Sequence, residues 1–188
     1  MTADTHNNGT TRVAEAASEI DCSHVILLQG DEPLLLPRHI DIFSREILNN
    51  PDFDAWNATG PIEVKSELDR HSFVKCSVSP SNKILYCFRR SPCYSDFDKT
   101  KFFVRKILGI IAYRKDFLEQ IAGLPESLIE QTEFIEQMRI LENGYHLQSV
   151  PVDVSLPSVN EVEEANIVLD YIQKSDEQKE LIELILKE

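Results

Sequence analysis

The chain has 188 residues, 42% of them hydrophobic, enough for the core of one domain spanning residues 1–188 and with no sign of a second. Its net charge of -13, from 32 acidic against 19 basic residues, would repel a polyphosphate backbone, and no basic stripe offsets it, so nucleic acid is not an expected partner. No apolar run approaches the roughly 20 residues that cross a bilayer, so no membrane partner is expected. No leader-like segment is seen either, and Cys22, Cys76, Cys87 and Cys93 lack CxxC spacing. They read as reduced, mostly core thiols of a soluble cytoplasmic protein.

In chain order, Val13, Ala16, Ala17 and Ile20 share one helical face, which predicts a helix from Thr10 or Thr11. "HVILLQ" is a short continuous apolar run, as in a strand of a parallel sheet covered on both faces by helices. Pro37 opens a second helix with Ile40, Phe43, Ile47 and Leu48 at helical spacing. "DAWNATGPIEV" has strand texture, and "FVKCSVS", "PSN" and "KILYCFRR" predict a hairpin. "SPCYSDFDKTKFFVRK" has no clear period and is expected to be an excursion or a partner-facing segment. "ILGIIAYR" is a buried strand, "KDFLEQIAGL" a short helix ending at Gly123, and "ESLIEQTEFIEQMRILENG" one or two helices stopped by Gly144. "YHLQSVPV" is a last strand before two amphipathic helices, the final one expected to cover the sheet or to serve as a dimer contact. Alternating strands and helices predict an α/β three-layer fold.

In such a sheet, ligands bind beyond the carboxyl ends of the strands, where "QGDEP" follows "HVILL". Asp31 and Glu32 have the oxygen chemistry that Mg²⁺ takes alongside substrate phosphates. An alternative reading leaves Gly30, Asp31 and Pro33 as a plain turn.

Several motifs occur in order. "THNNGTTRVAEAA" and "VILLQGDEPLL" resemble the HxSGTxRxxE and VQGDEP segments of the CMP-sugar-acid synthetases, most closely the 3-deoxy-manno-octulosonate (Kdo) cytidylyltransferases. "LGIIAYRKDFL" resembles that family's HLGIYGYR, "IEQTEFIEQMRILENGYHL" its LExxExLEQLRxLExG helix, and "VPVDVSLPSVNEVEEANIVL" stands where it has GVDTPEDL. The resemblance implies a nucleotide-diphospho-sugar transferase-like, Rossmann-like mixed sheet. It implies transfer of a cytidylyl group from CTP to the anomeric hydroxyl of an eight-carbon acid sugar, with Mg²⁺ as cofactor, in lipopolysaccharide or surface-polysaccharide biosynthesis. A homodimer is expected.

Residue by residue, the resemblance makes Asp31 the catalytic metal carboxylate and Gln29 the amide facing the acid sugar. It assigns Arg89 to the sugar carboxylate, Glu136 and Gln137 to the sugar hydroxyls, and Gly9, Thr10 and Arg12 to the nucleotide side. Asn160 stands where the family has a second metal carboxylate, which predicts weaker Mg²⁺ binding, with Glu161 as a neighbouring substitute. Ile107 and Ile111 replace a His and a Tyr, which predicts an apolar sugar pocket and a shifted substrate, such as an amino-sugar analogue or a nonulosonic acid. The family's glycine- and basic-rich phosphate loop and first strand have no counterpart in these residues, so a chain incomplete at its N-terminus is expected, and an inactive binding or oligomerisation module is the non-enzyme alternative.

Overall fold

Local signals set the element ends. The computed structural model describes residues 2–6, 8–92, 96–159 and 161–187, so Cys93 and Asn160 lie outside the described residues. Asn8 caps α1 (Gly9–Ser18), its Oδ1 accepting the Thr11 N–H at 3.0 Å. α2 (Pro37–Asn49) has Pro in its first turn and no polar cap. Instead, the buried His39 reaches back, and its Nδ1 accepts the Leu36 N–H at 3.1 Å. α3 (Phe97–Thr100) and α4 (Lys115–Ala122) follow, α4 closing at Gly123. The "ESLIEQ…" stretch is two helices, α5 (Leu128–Glu133) and α6 (Gln137–Glu142), stopped by Gly144 at φ 79°. α7 (Glu164–Lys174) and α8 (Asp176–Ile185) end the chain. No helix among the described residues is long and apolar enough to cross a membrane.

Among the described residues, six strands form one mixed sheet: β1 (His24–Leu28), β2 (Ala55–Gly60), β3 (Lys75–Val78), β4 (Ile84–Phe88), β5 (Val104–Arg114) and β6 (Leu147–Pro151). The order is β4-β3-β5-β2-β6, with β1 also paired to β5. Among the described strands only the β2–β6 pair is parallel; β1 is antiparallel to β5, which corrects the parallel setting expected for "HVILLQ". β5 starts earlier than "ILGIIAYR", at Val104, because its first residues pair with β3 while its last pair with β1. The last three residues of the expected excursion, Val104, Arg105 and Lys106, are therefore sheet; Phe102, shortly before them, is 80% exposed.

Alternation along β5 sorts the two faces. Ile111 and Tyr113 join Phe117, Leu118 and Met138 beneath α1, α4 and α6, while Leu108, Ile110 and Ala112 meet Trp56, Phe43 and Ile47 beneath α2. This is the α/β/α layering of the expected fold. The final helix does not cover the sheet: the buried Gln178 of α8 donates to the Leu34 carbonyl at 2.8 Å, and α7 packs Val168 on Leu34 and Leu156. Cys76 and Cys87 are buried opposite each other in the hairpin as free thiols, and Cys22 is half-buried.

Burial lowers the His39 pKa, helped by the nearby Arg38 charge, and burial likewise lowers that of His24. The unfolded chain therefore takes up protons that the fold refuses, so this stability is complete above the usual 6.5 and is lost as pH falls below it. Protonating His39 at Nδ1 would also remove the acceptor for Leu36. Urea midpoints should fall between about pH 7 and pH 5. His39→Asn, with an acceptor that does not titrate, should flatten part of that slope; an unchanged slope would contradict the assignment.

Candidate functional site

β1 ends at Leu28 while β5 runs on, and the lip "QGDEP" folds against the continuing strand. The Gln29 N–H donates to the Gly109 carbonyl at 2.9 Å, and the Gly109 N–H donates to Glu32 Oε1 at 2.8 Å. A Cβ on Gly109 would stand 2.5 Å from Glu32 Cγ and 3.0 Å from Gln29 Cβ, so only glycine lets the lip lie this close. Burial raises the Glu32 pKa, against the pull of the Gly109 N–H and the Lys106 charge. Lys106 is itself buried over the Phe73 ring, 3.7 Å from its centroid, and burial lowers its pKa against the opposing pull of Glu32.

Seated this way, the lip turns Asp31 into a cleft of about 660 Å³. The Asp31 carbonyl accepts the Val159 N–H at 2.8 Å, which brings Ser158 and Glu161 into the same wall. Asp31 Oδ1 is buried with no hydrogen-bond partner among the described residues. A buried carboxylate oxygen without a donor is costly unless something else completes it. That atom could give a hard cation one oxygen ligand, with Glu161 on the same wall, while among the described residues no group of three His, Cys, Asp or Glu side chains is gathered as a metal site.

A second group of side chains meets at Glu136, the residue before α6. Its Oε2 accepts from the Thr10 N–H at 3.2 Å and the Thr10 hydroxyl at 2.9 Å, at the first turn of α1. Its Oε1 accepts from Gln29 Nε2 at 3.2 Å. The Tyr113 phenol is 2.8 Å from the Thr10 hydroxyl, and burial holds its pKa well above the usual value. Gln137 Nε2 donates to Asn57 Oδ1 at 3.0 Å. Asn57 in turn donates to the Leu108 carbonyl, where the β2–β5 register shifts.

Arg89 forms the opposite side. Its Nε donates to the Glu133 carbonyl at 2.7 Å, Nη2 to the Phe134 carbonyl at 3.0 Å and Nη1 to the His71 carbonyl at 3.1 Å. Of the guanidinium's five N–H groups, one on each terminal nitrogen is left over among the described residues. The first two bonds hold the corner between α5 and α6, where Phe134 takes a left-handed φ of 55° although it is not glycine. Beneath Arg89 the fully buried Lys75 ammonium donates to the Arg70 carbonyl at 2.7 Å and to the Arg89 carbonyl. Its pKa is pushed down to about 8, chiefly by burial.

Of the residues singled out in the sequence, Gly9, Gln29, Asp31, Arg89, Glu136 and Gln137 line this one cleft. Thr10 lies just behind it, buried. Arg12 does not reach the cleft: it is exposed, with Nη1 donating to Thr2 Oγ1 at 2.8 Å and to the Ala3 carbonyl at 3.1 Å. One turn of helix beyond Gly9, its side chain points away from the sheet. Ile107 lines the cleft, but Ile111, four residues further along β5 on the same face, is buried in the core beneath α1. The wall is charged, with Asp31, Glu32, Lys106 and Glu161 among its members, and not the apolar pocket expected. Sequence reasoning missed Lys106, Phe73 and Tyr113, and it took Glu32 for a metal acid where the structure has it accepting the Gly109 N–H; the available signal for that contact was a glycine in the middle of "ILGIIAYR", which implies close approach of another backbone.

Comparison with known proteins places this geometry. A cytidylyltransferase family model matches residues 1–153. The chain belongs to the cytidylyltransferase family. It is 34% identical over 180 residues to a 3-deoxy-manno-octulosonate cytidylyltransferase of Chlorobium limicola, covering 93% of this chain and 72% of that protein. An Escherichia coli protein of the same description is 32% identical over 160 residues, covering 85% of this chain and 64% of the relative. A solved CMP:2-keto-3-deoxy-manno-octonic acid synthetase complexed with CTP superposes with a TM-score of 0.83 at 29% identity, covering 93% of this chain and 71% of that one. The family membership and the mixed α/β sheet agree with what the motifs imply.

Gly109→Ala should push Glu32 and Gln29 off β5. Urea unfolding should show a loss of about 1–3 kcal/mol, the usual cost of overpacking. A variant as stable as the parent would mean that the lip yields without strain.

Proposed function

We propose that this protein transfers a cytidylyl group from CTP to the anomeric hydroxyl of an eight-carbon acid sugar of the Kdo type, releasing pyrophosphate, for lipopolysaccharide or surface-polysaccharide biosynthesis. The observation that carries the reading is the unpartnered Asp31 Oδ1, held in the same cleft as the Gln29–Glu136 pair and Arg89. The relatives' names and the CTP complex of the structural neighbour support it.

In this reading the sugar hydroxyl attacks the α-phosphorus in line with the departing pyrophosphate, and the protein contributes mainly orientation. Gln29, Glu136 and Gln137 face the sugar hydroxyls, and the two N–H groups left on Arg89 suit a carboxylate taken in bidentate fashion. The N-terminus of α1, at Gly9, adds positive dipole on the nucleotide side. Asp31 would hold Mg²⁺, with the 160–161 segment as the other protein ligand. Bound there, the ion supplies charge neutralisation on the triphosphate. Because Glu32, Glu136 and Glu161 make this cleft acidic, a triphosphate entering without a cation would be repelled.

Ile107 in the cleft wall, where the motif has a polar side chain, favours a second reading in which another acid sugar, an amino analogue or a nonulosonic acid, is the better substrate. Pyrophosphate release measured over a panel of acid sugars separates the two, and equal rates on Kdo and on every other acid would sink the second. We place the enzyme in the cytoplasm, where CTP is made, as a homodimer. The exposure of Phe102, Leu128 and Phe134 supports an apolar contact surface for that assembly.

Asp31→Asn keeps shape and removes the charge. It should lower CMP-sugar formation by roughly a hundredfold or more without unfolding the chain. EDTA should abolish activity in the parent, and Mg²⁺ should restore it. Full activity in EDTA, or in Asp31→Asn, would overturn the reading.

A further inference from the structure

The contacts around Glu136 have a fixed direction. A carboxylate oxygen only accepts, so the Thr10 hydroxyl gives its single hydrogen to Glu136 Oε2 at 2.9 Å. At the 2.8 Å contact between Thr10 and Tyr113, the phenol must then be the donor. On the other carboxylate oxygen, the 3.2 Å contact with Gln29 requires the amide nitrogen, which turns Gln29 Oε1 away from Glu136. Hydrogen bonds thus run one way from Tyr113 through Thr10 to Glu136, which Gln29 meets from the cleft side. Tyr113 is 1% exposed and Thr10 5%, so water does not compete with them, and Tyr113 itself does not line the cleft.

We infer that Tyr113 and Thr10 are positioning residues for recognition of the acid sugar. Their hydroxyls fix the Glu136 carboxylate, and through it the amide sense of Gln29, so that this wall offers acceptors to the hydroxyl hydrogens of a polyhydroxylated ligand. The inference rests on the reading of the cleft as a sugar-acid site. It moves Thr10 from the nucleotide side to the sugar side. A phenol that merely filled the core would contribute packing, and its oxygen would be dispensable to binding.

The test uses Tyr113→Phe, Thr10→Val and Thr10→Ser in the full chain, with Kdo and CTP as substrates. Tyr113→Phe and Thr10→Val should each raise KM for the acid sugar about fivefold, the effect of one hydrogen bond, with KM for CTP and kcat nearly unchanged. The double variant should be no worse than Thr10→Val, and Thr10→Ser should behave as the parent. In ¹⁵N-labelled protein without substrates, the Gln29 side-chain amide signal, identified by its loss in Gln29→Leu, should shift in Tyr113→Phe and in Thr10→Val. An unmoved Gln29 signal in both variants, or a KM for CTP rising in step with that for the sugar, would overturn the inference. If the parent makes no CMP-sugar from Kdo, the proposed function fails, and the Gln29 signal alone decides whether the two hydroxyls position the wall.

Discussion

The lip side of the cleft, with Gln29 and Asp31, hangs on the seam between Gly109 and the lip. Two hydrogen bonds, Gln29 N–H to the Gly109 carbonyl and Gly109 N–H to Glu32, hold a polar loop flat against the middle of β5. That contact fixes where Gln29 meets Glu136 and where Asp31 enters the cleft. A side chain on residue 109 would collide with both neighbours before either bond formed. The seam also explains why Glu32 is a structural acid: one oxygen is committed to a backbone N–H, and burial raises its pKa.

The other walls are anchored by cations that serve the backbone. Arg89 and Lys75 donate to carbonyls of two other segments, at Arg70 and His71 and at Glu133 and Phe134, so the corner between α5 and α6 stays registered to the end of β4. Arg139 adds a buried two-point pair with Glu130, at 2.6 and 2.8 Å, that ties α5 to α6. Breaking one partner of such a pair leaves an uncompensated buried charge, and so these helices hold their geometry better than their short lengths would allow alone. Asp31 is the exception in this arrangement, with a buried oxygen left unpartnered among the described residues.

Much of this was legible in the sequence. Pro37, Gly123 and Gly144 announced helix ends through backbone chemistry that acts over a few residues, while α1 starts at Gly9 on its Asn8 cap, just ahead of the Thr10 or Thr11 start expected. Strand direction was not legible. "HVILL" is apolar enough for a parallel strand, and only its long-range pairing with β5 made it antiparallel. The left-handed Phe134 left no trace, since "TEFIEQ" contains no glycine and the turn is held by Arg89 from elsewhere in the chain. The lip residues were found by motif, while Tyr113 escaped because it looks like part of a buried strand until its contact with Thr10 is known, and Lys106 because it sits at the end of the segment expected to be an excursion.

The claim underlying all of this is that the lip presents Asp31 Oδ1 to a divalent cation. A crystal structure of the chain grown with CTP, Kdo and Mg²⁺ tests it most directly. The structure should show Mg²⁺ on Asp31 Oδ1 at about 2.1 Å, with Gln29 and Glu136 against the sugar. Nucleotide and sugar bound in the cleft with Asp31 Oδ1 still bare, or with the ion held by other residues, would contradict it.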